Sequence, residues 1–303
     1  MLLEIQGLHE PCGRVYYGEM SIRETLSCLG FREILFPHLK SIYALKNEMI
    51  KKGKADNKAI SKYKYISTQS QWVRDHLQGL TNAKLFHTGM SLRSEFWSCK
   101  KWEYPCDNDY HFYCSAAGPA PYKSVQTAIK ALSVVVKKYP NANLHIIGNF
   151  KNSKNWKHKS GYLTFVYNSI QNHKLETNII FEGALTASEI VKVMMTCIGM
   201  IQTSFVESYS LAVAEAQAVG IPSIVSYAGA MSELAKDNET ALFFSPGDYM
   251  ACAGRMLDLI ENRKLAESIS EKSYQLAKDR NDDKTVLRRQ LEIYSQILNS
   301  FLK

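Results

Sequence analysis

"TSFVESYSLAVAEAQAVGIPSIVSYAG", residues 203–229, decides the fold. Residues 198–204, "IGMIQTS", read as a strand, the small-residue stretch after Glu207 reads as a helix, and residues 222–227, "PSIVSY", read as the next strand. Two acids, Glu207 and Glu215, bracket the start of the helix. Eight residues of helix correspond to roughly 12 Å of rise. Ala212, Ala214, Ala216 and Ala218 surround Glu215 and imply a closely packed helix, where a buried carboxylate needs a partner. The plainer alternative is that Glu207 is a helix-start acid favoured by the dipole and Glu215 a solvated helix residue.

The same alternation extends in both directions. Upstream come a strand at 111–118, a helix at 121–140, a strand at 143–149, a polar insertion at 150–161, a helix at 162–175 and a strand at 178–183. Thr186 and Glu189 then form a capping box. Downstream lie a short helix at 230–237, a strand at 241–245 and helix from Asp248 to the end. Short apolar strands between helices mean an α/β fold with a doubly wound parallel sheet. The first third is less regular. "LLEIQG" reads as a buried strand, residues 21–36 and 37–54 as helices, 63–68 as a strand leading into a helix at 70–80, and 83–89 as a strand. Residues 98–110, "SCKKWEYPCDNDY", suit a linker.

At 303 residues and 46% hydrophobic content the chain can bury a sizeable core, enough for two domains. No apolar run approaches the roughly 20 residues of a membrane span, and "MLLEIQGLHEPC" does not read as a signal peptide, so a cytoplasmic location is expected. The seven cysteines lack CxxC spacing and read as reduced thiols without assigned chemistry. The net charge of +8 suits anionic partners or simple solubility. Lys46, Lys51, Lys52, Lys54, Lys58, Lys62 and Lys64 read as a solvated helix face, with an anionic membrane surface as the alternative. Nothing points to nucleic acid.

In an open parallel sheet, ligands sit beyond the carboxyl ends of strands, where helix N-termini present free N–H groups. The loop after residue 204 is such a place. Ser208, Tyr209, Ser210 and Leu211 would offer amides to phosphates, and each carboxylate would accept hydrogen bonds from sugar hydroxyls. The span between the two acids suits a ligand with hydroxyls at both ends and a pyrophosphate between.

Residues 205–234, "FVESYSLAVAEAQAVGIPSIVSYAGAMSEL", resemble the donor-site signature of retaining GT-B glycosyltransferases of family 4, the group 1 glycosyl transferases. The signature is a Glu, seven residues and a second Glu, followed by Ala, Gly-X-Pro and a later Gly before Glu-Leu. Similarity continues through "NETALFFSPGD", "GPAPYKSVQTAIKAL", "LHIIGN", "ISTQSQWVRDHL" and "LFHTGMSLRSEFW". The resemblance implies two Rossmann-like domains facing a cleft: a partial acceptor-side domain over 1–105, a nucleotide-sugar domain over 106–280, and a helix over 281–303 that crosses back. It places Glu207 at the donor sugar or phosphate, residues 208–211 in the amide cradle, Glu215 at the ribose and Lys123 at the diphosphate. Glu207 and Lys123 are then the catalytic pair, with no tightly bound metal and no cofactor beyond the donor. A lysine at a strand-to-helix loop also makes physical sense, since its mobile charge can meet a developing diphosphate; otherwise it would be a solvated helix-start residue.

Two departures shape the expectation. Gly118 stands in the donor site where the family carries an arginine, and Gln6 stands where many members carry a histidine, with His9 nearby but out of register. The early strands and the Gly-rich first loop have no counterpart, so the chain reads as lacking about 100 residues of its first domain, given ordinary domain sizes. Competing motifs are weak. Asp107 and Asp109 form an Asp-X-Asp inside the linker, Asn238 opens a sequon, and no GxGxxG, Walker loop, HExxH or nucleophile elbow occurs. The expected function is hexosyl transfer with retention from a nucleotide sugar to a glycan or lipid-linked acceptor, as in polysaccharide biosynthesis, at the inner membrane face or in the cytoplasm. A non-catalytic nucleotide-sugar binding fragment and a GT-B-type sugar-nucleotide epimerase are the alternatives.

Overall fold

Parallel strands assemble into two separate sheets. The computed structural model describes residues 1–29, 35–36, 41–106, 109–116, 118–150 and 161–302. Residues 151–160 of the polar insertion and Asp107 lie outside the described residues. The first sheet has three strands in the order β1 (Leu2–Ile5), β2 (Tyr65–Thr68), β3 (Lys84–His87). The second has six, β4 (His111–Ser115), β5 (Asn143–Ile147), β6 (Ile179–Gly183), β7 (Gly199–Gln202), β8 (Ser223–Ser226) and β9 (Leu242–Phe244). Its order is β6-β5-β4-β7-β8-β9, parallel throughout. The order reverses between β4 and β7, and a crevice opens beyond the carboxyl ends of strands at such a reversal.

The helices of the first region are α1 (His9–Arg14), α2 (Ile22–Ser27), α3 (Ile42–Ile60) and α4 (Gln71–Gln78). Gly53 permits α3 to close on α1, because a Cβ there would meet the Glu10 amide nitrogen at 2.6 Å. In the second region α5 (Val125–Val135), α6 (Tyr162–Asn172), α7 (Ala187–Thr196), α8 (Leu211–Val219), α9 (Met231–Leu234) and α10 (Tyr249–Glu261) alternate with the strands. Every residue of β7, β8 and β9 is buried, which requires cover on both faces of the sheet and explains the apolar residues at their centres. Phe112 and Tyr113 at the sheet centre are fully buried; burying a side chain such as Phe112 stabilises the fold by about 1.5–3 kcal/mol.

Two further helices, α11 (Arg263–Asn281) and α12 (Asp283–Asn299), complete the chain. α12 returns to the first sheet, where Ile293 and Ile297 pack on Phe86 with Leu2 and Tyr65 beside them. Packing also crosses residue 105. Tyr16, Met20, Cys28, Leu92, Phe96 and Trp102 join the core of the second sheet, and the Trp102 indole N–H donates to the Cys197 carbonyl at 2.8 Å.

Several elements differ from the sequence reading. β1 was expected to be buried, yet Leu2 and Leu3 are half-buried and Glu4 is exposed, because among the described residues β1 pairs with β2 alone. The helix expected over 21–36 ends at Ser27, with residues 30–34 outside the described residues. The one expected over 37–54 instead runs from Ile42 to Ile60, since the Ser41 hydroxyl caps its first turn. Its lysines at 51, 52, 54 and 58 are exposed.

Candidate functional site

Lys123, Glu207 and the start of α8 converge beyond the carboxyl ends of β4 and β7. Two neighbouring cavities meet there and share Met90, Lys123, Glu207, Ser210 and Leu211 as a common wall. One, about 420 Å³, is lined by Ser115 at the end of β4, Gln202 at the end of β7, Ile190, Arg93 and Glu215. The other, about 500 Å³, opens toward the first sheet and is lined by Gln6, His9, Gln69, Met49 and Tyr122, as well as residues 206–209. A larger depression of about 620 Å³ lies between residues 61–65 and 78–84, at the amino ends of β2 and β3. Parallel sheets bind ligands at the opposite end, so volume alone does not mark the site.

Glu207 is 7% exposed and firmly held. Its Oε1 accepts from Lys123 Nζ at 2.7 Å, Gln202 Nε2 at 2.7 Å and Ser204 Oγ at 2.6 Å. Among the described residues these three side-chain donors all meet Oε1. The backbone is equally fixed: the Glu207 carbonyl accepts from the Ala230 amide at 2.9 Å. Gly229 makes that approach possible, having φ of +57° and no Cβ, which would otherwise overlap the Glu207 carbonyl oxygen. Ser204 is braced in turn by Ser226 Oγ, which donates to its carbonyl at 2.5 Å.

The helix itself begins later than the sequence suggests. α8 starts at Leu211, with Ser210 as N-cap in the left-handed region at φ +72° and no side chain capping the turn. Only four of the eight steps from Glu207 to Glu215 are helical, about 6 Å of rise. The helical amides that face outward are therefore those of residues 211–213, and residues 208–210 form the turn before them. Within that turn the Tyr209 hydroxyl accepts from Asn281 Nδ2 at 2.6 Å, and the Ser208 carbonyl accepts from Ser70 Oγ at 2.6 Å. Gly118 lines neither cavity, and a Cβ there would meet nothing within 4 Å.

Glu215 is 8% exposed and has the partner that burial demands. Arg93 donates to its Oε1 through Nη2 at 2.8 Å and Nε at 3.2 Å. Desolvation pushes the Glu215 carboxyl above its ordinary range, and Arg93 opposes that shift. Arg93 also lies over the Phe96 ring at 5.0 Å. Sequence reasoning missed Arg93, Gln202 and Ser204. A buried polar residue at the end of an apolar strand is a signal that could have found Gln202; Arg93 reaches Glu215 across 122 residues and left no local signal. Cys12 also lines the 500 Å³ cavity, and burial pushes its thiol up to about 11, which disfavours the thiolate. Among the described residues no group of three or more His, Cys, Asp or Glu could hold a metal ion, and Asp109 is exposed.

The sequence pattern described as "Glycosyl transferases group 1" matches residues 100–276, more than half of the chain. The chain belongs to this family. Its fold is shared with solved GT-B glycosyltransferases. A sucrose-phosphate synthase from Thermosynechococcus elongatus superposes with a TM-score of 0.72 at 14% identity, over 99% of this chain and 74% of that one. Anabaena HepE in complex with UDP and glucose gives 0.66 at 13% identity, over 98% and 70%. A Staphylococcus aureus TarM variant in complex with fondaparinux, alpha-GlcNAc-glycerol and UDP gives 0.67 at 17% identity, over 80% of this chain. The match spans 46% of the TarM chain, so this chain answers to about half of that protein. No curated protein sequence matches this chain. No helix among the described residues is long and apolar enough to cross a membrane.

Proposed function

We propose that the chain is a retaining hexosyltransferase of family 4 that moves a sugar from a nucleotide sugar to a glycan or lipid-linked acceptor. The observation that carries this reading is the convergence of Lys123, Glu207 and the uncapped start of α8 at the β4–β7 reversal, with Glu215 one helical turn further on. The solved structures in complex with UDP and glucose, or with fondaparinux, alpha-GlcNAc-glycerol and UDP, support a nucleotide sugar as the ligand class.

In this reading the ribose hydroxyls donate to Glu215, and the diphosphate lies against the amides of residues 211–213. Lys123 leans from Glu207 toward the phosphates as negative charge develops on the leaving diphosphate, without a tightly bound metal. Glu207 Oε2 accepts from a hydroxyl of the sugar while its anomeric carbon passes through an oxocarbenium-like state. Net positive charge and the exposed lysines of α3 fit a location at the inner face of an anionic membrane, where lipid-linked acceptors are found.

The test is calorimetric titration of UDP-glucose and UDP-N-acetylglucosamine, followed by NMR of the anomeric proton in any glycoside formed. Saturable binding and a product that keeps the donor's anomeric configuration are expected. An inverted product would remove retention, and no binding of any nucleotide sugar would remove the donor site.

A further inference from the structure

Gln69 is 3% exposed, lines the 500 Å³ cavity, and carries a side-chain nitrogen, Nε2, that is buried without a hydrogen-bond partner. The residues on either side of it are anchored by their side chains. Thr68 Oγ1 donates to the Phe86 carbonyl at 3.3 Å, and Ser70 Oγ donates to the Ser208 carbonyl at 2.6 Å. Ser70 also caps α4, accepting from the Val73 amide. Gln69 is thus fixed across from the turn that precedes α8, and the residues sharing its cavity include Leu8, Met49, Met90 and Val206. A buried amide N–H is costly unless something accepts from it.

We propose that Gln69 is a specificity-determining residue, its side-chain amide donating to an oxygen of the sugar carried by the nucleotide. This rests on the donor-site reading above. Lys123 and the start of α8 at Leu211, both on the shared wall of the two cavities, meet the charged diphosphate, which leaves the neutral amide of Gln69 for a neutral acceptor. A hydroxyl or N-acetyl oxygen of a hexose has that chemistry. The sugar lies next to Glu207, which borders the same cavity. A site built to bond such an oxygen discriminates against ligands that lack it, because the buried donor is then left unpaired.

The assignment separates stability from affinity in a way a packing role does not. Replacing Gln69 by Met removes an unpartnered donor from the empty site, so the ligand-free variant melts at the same temperature as the parent or higher. The same change removes a bond to the bound sugar. Calorimetry with UDP, UDP-glucose and UDP-N-acetylglucosamine on the parent, Gln69→Met and Gln69→Leu reads both effects. The expected result is unchanged UDP affinity and a loss of about tenfold for at least one UDP-sugar, as for one hydrogen bond to a buried donor. Equal weakening of UDP and both UDP-sugars, no weakening of either sugar, or a melting temperature lowered in both variants overturns the assignment. Absence of UDP binding by the parent overturns the donor-site reading, and this assignment with it.

Discussion

The two sheets divide the labour unequally. The second has six strands, encloses nearly all of the large buried side chains, and carries Lys123, Glu207 and Glu215 on loops and a helix that its own packing fixes. The first has three strands and two small apolar clusters, one of them completed by α12 from the far end of the chain. Yet this thinner region lends the site Gln69 from the end of β2, while Arg93 comes from the stretch between β3 and β4. Lys123, Glu207 and Glu215 thus sit in the more deeply packed region, and Gln69 and Arg93 reach the same cavities from outside it. Contacts that join the regions next to the site include Ser70 to Ser208, Arg93 to Glu215, and the Glu233 carboxylate, which accepts from the amides of Gln71 and Trp72 at 2.6 and 2.7 Å.

If that division is right, substitutions in the second region cost more ligand affinity than substitutions that reach in from the first. The largest effect is expected from Lys123→Gln, which removes the cation from a buried pair and should cost about 2–5 kcal/mol of nucleoside diphosphate affinity. The nucleoside alone should bind as before, since only the diphosphate carries the charge that the lysine meets. Equal losses measured by calorimetry would make Lys123 a support of the fold and erase the contrast. Next comes Glu215→Ala, with about 1.5–3 kcal/mol lost from nucleotide binding, as for hydrogen bonds to a charged group, and the fold retained by circular dichroism.

Glu215 also links affinity to pH and to stability. Burial raises its folded-state pKa above the unfolded value, so the native chain binds a proton more readily than the unfolded one. The stability it contributes is complete below the unfolded pKa and is lost as pH rises through the folded value. Glu215→Gln should therefore stabilise the ligand-free chain at neutral pH more than at acid pH, in urea melts at the two pH values. Arg93→Ala removes the cation that opposes the upward shift. Nucleotide affinity in that variant should then fall off at a higher pH than in the parent as pH is lowered. An identical pH profile would show that Arg93 does not act through Glu215. The smallest effect is expected at the joint between regions: Glu233→Gln should cost about 0.5–1 kcal/mol, as for weakening charge at a helix start, and hasten amide exchange at Gln71 and Trp72.

The second sheet was legible because its strands are short runs rich in apolar residues and some of its helices carry a start signal, such as the Thr186 and Glu189 capping box and the Asp248 cap. Glu207 and Glu215 could be singled out because acids stand out against a small-residue helix. The start of α8 could not be placed. Ser208, Tyr209 and Ser210 are compatible with a helix, and what excludes them is tertiary: Ser70 holds the Ser208 carbonyl, Asn281 holds the Tyr209 hydroxyl, and Ser210 is turned left-handed. β1 looked like a core strand because Leu2, Leu3 and Ile5 are apolar, but apolarity does not reveal how many neighbours a strand has. Arg93 and Gln69 were invisible for a related reason. Each lies outside the second sheet, and its role depends on how two separately wound regions meet.

A crystal structure with UDP bound tests the central claim most directly. The account predicts the diphosphate against Lys123 Nζ and the amides of residues 211–213, with the ribose hydroxyls on Glu215. Nucleotide density elsewhere, for instance among Lys62, Lys64 and Lys84 at the opposite end of the first sheet, would contradict it.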